Sequence, residues 1–100
     1  MPLTPDQLRN ATYILGLISS FPCLAWVNTE PEQWDIDAFM QSLGTASSGE
    51  RLCMLFIANV WNPGYARESS WTFDVMDFAS SCDRRNRAAF IAWLQNPRFP

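Results

Sequence analysis

The chain predicts an all-α fold: a compact helical domain of five or six helices, two pairs of which approximately repeat. Three observations support this. Apolar residues recur at helical spacing behind good capping residues. No two segments are joined by an Asn-Gly or Asp-Gly turn, the strongest short hairpin signal. The chain also repeats itself, since Phe56-Ile57-Ala58-Asn59-Val60-Trp61-Asn62-Pro63 returns as Phe90-Ile91-Ala92-Trp93-Leu94-Gln95-Asn96-Pro97 with five of eight positions identical. Trp34-Asp35-Ile36-Asp37 precedes the first copy, and Trp71-Thr72-Phe73-Asp74 precedes the second. A period in the thirties points to stacked helix–turn–helix units, which make binding surfaces more often than catalytic pockets.

The first helix starts at a Thr4-x-x-Gln7 capping box with Pro5 in its first turn. Leu3 and Leu8 stand at hydrophobic-staple positions, and Leu8, Ala11, Leu15 and Ile18 make one apolar stripe. Pro22 should end this helix by disfavouring the α conformation in the residue before it. Residues 23–27 fit either a short helix or a strand, and their likeness to residues 90–94 favours helix. Residues 28–33 form a polar turn.

Ile36, Phe39, Met40 and Leu43 predict a short amphipathic helix, capped by Asp35 and ended by Gly44 in a left-handed conformation. Ser47 and Glu50 make a second capping box before a helix over about 48–61. That helix is apolar on nearly every face, which marks it as the most buried element. Asn62-Pro63-Gly64 stops it, and residues 65–70 are expected as a polar connection. A short helix over about 72–80 follows, with Trp71, Val75, Phe78 and Cys82 on one face. Asp83 caps a last helix over about 84–95. The repeated pairs would be 35–61 and 72–95, with the first helix covering the open end of the stack.

With 100 residues the chain is one interaction domain, 1–100. Apolar residues make up 48% of it, which argues against disorder. There is no Lys and no His, so the usual general bases and nucleophile activators are missing and no enzyme is expected. Retained Arg with absent Lys is what GC-rich coding produces. A formal charge of −3 disfavours wholesale nucleic-acid binding. No cofactor or metal is expected, because the glycines are scattered and Cys23, Cys53 and Cys82 form no CxxC pair. The cysteines read as small buried hydrophobes in a reducing cytoplasm. A lowered pKa is conceivable only at Cys82, near Arg84 and Arg85. The N-terminus has no basic n-region and no apolar run is long enough for a span, so neither a leader nor a membrane anchor is expected.

The candidate partner-binding residues fall into three groups. Asp35, Asp37, Asp74 and Asp77 are paired carboxylates at helix starts, where the dipole already favours negative charge. Arg84, Arg85 and Arg87 crowd the start of the last helix, where the dipole disfavours cations. They would either pair with Asp74, Asp77 and Asp83 or anchor an acidic partner or a phosphate backbone. Trp61 and Tyr65 flank the Asn-Pro-Gly stop as candidate exposed aromatics. Trp34 and Trp71 are expected to staple their helix starts to the core.

Asn86-Arg87-x-Ala89-Phe90-x-Ala92-Trp93-Leu94, with Asn96-Pro97 and Pro100, resembles the tails of small accessory proteins of plasmids, phages and integrative elements from GC-rich bacteria. The likeness is confined to residues 83–100 and carries over no functional residue. It implies a context in which small acidic proteins inhibit host defence complexes, anti-CRISPR proteins among them, or act as antitoxins. The expected function is therefore a non-enzymatic, cytoplasmic protein that sterically occludes a larger protein or nucleoprotein complex. The alternative is a small nucleic-acid-contacting regulator or an antitoxin or immunity-type protein, with direct nucleic-acid contact falling to Arg84, Arg85 and Arg87. Pairing with a second copy is left open.

Overall fold

The computed structural model describes residues 2–100. Among them are six α-helices and no strand: α1 Pro5–Ser19, α2 Ile36–Met40, α3 Ser48–Trp61, α4 Pro63–Glu68, α5 Val75–Ser81 and α6 Arg84–Gln95. Short 3-10 turns occupy Pro22–Leu24, Pro31–Gln33 and Leu43–Thr45. The radius of gyration, 13.0 Å, is that of a folded 100-residue unit.

The caps act as the sequence predicts at most helix starts. Thr4 and Gln7 complete their reciprocal box on α1. Asp35, Ser47 and Asp83 accept from the backbones of Asp37, Glu50 and Asn86. Helix α3 is the core: Cys53, Met54, Leu55, Phe56, Ile57, Ala58 and Val60 are all buried. Around it pack Ile14 and Ile18 of α1, Phe21 and Leu24 of the first turn, Phe39 and Met40 of α2, Ala66 of α4 and Phe78 of α5. Phe56 is the aromatic hub, with its ring centroid 5.7 Å from Phe21, 5.4 Å from Phe73, and 5.1 Å from both Phe90 and Trp93.

Several expectations are corrected. Residues 65–70 are not a loop, because α4 fills most of them. Asn62 closes α3 and also caps α4, accepting from the Tyr65 amide at 3.0 Å, and Pro63 suits a first helical turn, which needs no amide donor. The stop signal is also a start signal. Helix α5 begins at Val75 rather than near Thr72, because Asp74 is its N-cap and bonds the amides of Met76 and Asp77 at 2.8 and 3.1 Å. Gly44 is not a left-handed stop. No described glycine has positive φ, α2 ends at Met40, and Gly44 lies inside a 3-10 turn. Residues 23–27 are helical only in part: Cys23 and Leu24 belong to the 3-10 helix Pro22–Leu24, a turn follows at 25–26, and there is no strand. Val75, placed on a buried face by its spacing, is 51% exposed.

The one non-glycine residue with positive φ among those described is Ser70, at 61°. It ends α4 in a Schellman arrangement, with Trp71 N–H bonding Ala66 O at 2.8 Å and Ser70 N–H bonding Arg67 O at 3.1 Å. Asn59 then fixes the chain beyond this turn, because its Nδ2 donates to Trp71 O at 2.8 Å.

The segments 35–61 and 72–95 each hold a capped short helix followed by a longer one, with a 3-10 turn between α2 and α3 and none between α5 and α6. Their chemistry diverges. Asp35 is the cap in the first copy, whereas in the second the cap is Asp74, the residue aligned with Asp37. Helix α3 is nearly all buried, whereas the only residue of α6 that is buried is Asn86. The last residues are held by Tyr13, whose hydroxyl donates to Arg98 O at 2.9 Å and accepts from Trp93 Nε1 at 3.0 Å.

Candidate binding site: an acidic aromatic cleft

The irregular stretch between the first 3-10 turn and α2 builds the most distinctive surface feature. Trp26, Trp34, Asp35, Ala38 and Phe39 line a cleft of about 260 Å³ together with the turn at residues 27–29. Phe39 is buried and anchors the other rings. Trp26 stacks on it at 6.0 Å with the planes 14° apart, and Trp34 meets it at 5.5 Å. Trp26 remains 48% exposed. Stacking therefore covers one face of its indole and leaves the rest to solvent. Trp34 is fixed from behind by Trp61, edge-on at 5.6 Å. Its indole Nε1 is buried without an acceptor among the described residues, and nothing in the packing explains why.

The segment that builds the cleft carries charge of one sign. Glu30, Glu32, Asp35 and Asp37 fall within eight positions, and no basic residue stands between Arg9 and Arg51. All four carboxylate residues are exposed. Asp35 spends one oxygen on its cap bond to the Asp37 amide, at 3.0 Å. Asp37 accepts from the Tyr65 hydroxyl at 2.6 Å. That bond holds the Tyr65 phenol above its ordinary pKa, because ionising it would place a phenolate against a carboxylate. Tyr65 is steadied in turn by Trp71, edge-on at 5.6 Å.

The candidate residues named from the sequence thus separate into two sets. Asp35, Asp37, Trp61 and Tyr65 belong to one connected region around Trp34. Trp61 and Tyr65 are half-buried and engaged within the fold, so they support the cleft rather than present free aromatic surface. Trp34 and Trp71 do pack on the core as staples. Asp74, Asp77, Arg84, Arg85 and Arg87 belong to the second helix pair. The pairing of those arginines with Asp74, Asp77 and Asp83, one of the two readings of the cluster, does not form. The only ion pair among the described residues is Arg9–Asp6, at 2.8 Å. Arg87 instead reaches the carbonyl of Ala79 at 3.4 Å. Val75, Met76, Ile91 and Leu94 are exposed on the same helix pair.

Residue-by-residue reasoning missed Trp26 and Phe39. Trp26 sat in a segment of ambiguous type, and Phe39 read as ordinary core. The signal that marks the place is the run of four carboxylates, two between Trp26 and Trp34 and two just after Trp34, in a stretch with no basic residue from Arg9 to Arg51. Asn86, read as part of the basic cluster, is structural. Its Oδ1 accepts from the Cys23 amide at 3.2 Å and its Nδ2 donates to Asp83 at 2.8 Å.

Among the described residues no group of three Cys, His, Asp or Glu is placed to hold a metal ion, and no helix is long and apolar enough to cross a membrane. Compared with family models, curated proteins and solved structures, the chain matches none.

Proposed function

We propose that this protein is a non-enzymatic binding protein that occupies a basic surface of a larger protein or nucleoprotein complex and blocks it sterically. The observation that carries this is the cleft between Trp26, Trp34 and Phe39, lined by Asp35 within a segment whose four carboxylates form no ion pair among the described residues. At about 260 Å³ it falls below the roughly 300–1,000 Å³ of small-molecule sites. It suits a single arginine or lysine side chain better than a cofactor. An aromatic face attracts a cation by about 0.5–2 kcal/mol, and neighbouring carboxylates add charge-assisted hydrogen bonds. Arginines and lysines that normally hold phosphate are natural occupants. Inhibition of a host defence complex, of the kind the C-terminal resemblance implies, is the most concrete version of this function.

A tagged pull-down from a GC-rich bacterium, with and without nuclease, tests it. A nuclease-resistant partner lost on reversing Glu30, Glu32 and Asp35 to Lys is the expected result. Recovery of nucleic acid, lost on replacing Arg84, Arg85 and Arg87 by Ala, would replace this function with the regulator alternative.

A further inference from the structure

Helices α5 and α6 gather most of the large apolar side chains that the fold leaves uncovered. Of the seven exposed among the described residues, Val75, Met76, Ile91 and Leu94 stand on this pair. They are not scattered. On α6, Arg84, Arg87, Ile91 and Leu94 follow at i, i+3, i+7 and i+10, which is one stripe of a helix. The two helices enclose an apolar groove of about 180 Å³, walled by Val75, Phe78 and Ala79 from α5 and by Arg87, Phe90 and Ile91 from α6. Phe78 and Phe90 meet at 4.9 Å and form its floor. Arg87 spans it, donating to the Ala79 carbonyl at 3.4 Å. Met76, next to Val75 in the chain, is not part of its walls and is 74% exposed.

We propose that this face pairs with a second copy of the chain about a twofold axis, with Met76 of each copy entering the groove of the other. A knob beside a hole of matching chemistry is what a twofold contact needs, because the same patch serves on both sides. The groove is too small for a cofactor, lying below the roughly 300 Å³ at which small-molecule sites begin. Its apolar walls suit one flexible thioether side chain.

Charge selects a second copy as the occupant. Each chain carries −3, so two copies repel wherever their carboxylates meet. The segment 74–95 is neutral, because Asp74, Asp77 and Asp83 balance Arg84, Arg85 and Arg87. The stretch from 10 to 50, in contrast, holds carboxylates and no cation. The α5–α6 face is therefore one on which two copies meet without adding like charge. Its three guanidiniums form no ion pair among the described residues, so they stay open to carboxylates of the other copy. The groove shares no wall with the aromatic cleft, and the pairing holds whether or not that cleft takes a cation. Two short helices per copy make an interface at the small end of specific contacts, roughly 1,200 Å² or less in total, and the dissociation constant is expected on the order of 10 µM.

Sedimentation equilibrium of the full chain from about 1 to about 500 µM reads the pairing directly. The mass should rise from the 11.4 kDa of one chain towards twice that value. Met76→Asp and Ile91→Asp change exposed side chains, so the circular dichroism spectrum should stay as in the wild type while each weakens association about 30-fold or more. In a mixture of copies with isotope-labelled methionine and unlabelled copies, filtered nuclear Overhauser spectra should connect the Met76 methyl to the rings of Phe78 and Phe90 in the other chain. A monomer at every concentration would overturn the proposal and leave the groove to a partner of different sequence. A dimer that survives both substitutions, or that shows no transfer from Met76 to the other copy's rings, would overturn it as well.

Discussion

Residues 26–39 and the helix pair α5–α6 divide the exposed chemistry of the molecule, and they do so in opposite ways. The first stretch has little regular structure. Its rings and Asp35 line one cleft because tight turns bring residues from short elements together. The second is regular helix. Arg84 and Arg87, three positions apart, share one face of α6, and Arg85 is turned about 100° from Arg84, so the helix spreads this run of charges over more than one face. None of the three pairs with Asp74, Asp77 or Asp83.

The largest expected effect separates the two regions by their dependence on the core. Phe56→Ala should remove about 3–5 kcal/mol of stability, a large share of the roughly 5–15 kcal/mol typical of such a domain. Because Phe56 touches Phe73, Phe90 and Trp93 but none of the cleft rings, hydrogen exchange should quicken more in α6 than around residues 34–39. Equal loosening of both would break the comparison. Trp26→Ala is the converse. The side chain is exposed, so chemical denaturation should show a change of about 1 kcal/mol or less. Binding of an arginine-rich peptide should weaken about 3- to 30-fold.

The caps give intermediate effects. Asp74→Ala frees two amides of α5 and Asp35→Ala frees one of α2. Each should cost about 1 kcal/mol, with Asp74 the larger, as read by urea unfolding. Ser70→Gly should have the opposite sign, stabilising by up to about 1 kcal/mol, because only the glycine meets a φ of 61° without strain.

The smallest effect concerns Tyr65. Its folded pKa is raised by Asp37, so the contact favours folding below the unfolded tyrosine value of about 10 and is lost as pH rises through the higher folded value. An ultraviolet titration should show a late tyrosine component that Tyr65→Phe removes. A titration unchanged by that substitution would dissociate Asp37 from Tyr65.

Helix positions were legible where a cap and a periodic stripe agreed, as at Thr4, Ser47 and Asp83. They failed where one residue served two roles, as Asn62 does between α3 and α4. The cleft was legible only in part. Asp35 and Asp37 stand out as capping carboxylates, but the stacking of Trp26 on Phe39 depends on how a turn without periodicity folds back over α2. The approach of the Cys53 and Cys82 sulfurs to 3.5 Å is equally invisible in the sequence, because it depends on the end of α5 packing on α3.

The most direct test of the central claim is a nuclear magnetic resonance titration with an arginine-rich peptide, following the indole N–H signals of the five tryptophans. A cation-accepting cleft predicts that Trp26 and Trp34 shift on binding while Trp93, hydrogen-bonded to Tyr13 beside α6, stays in place. Shifts confined to Trp93 and α6, or none at Trp26 at saturating peptide, would contradict it.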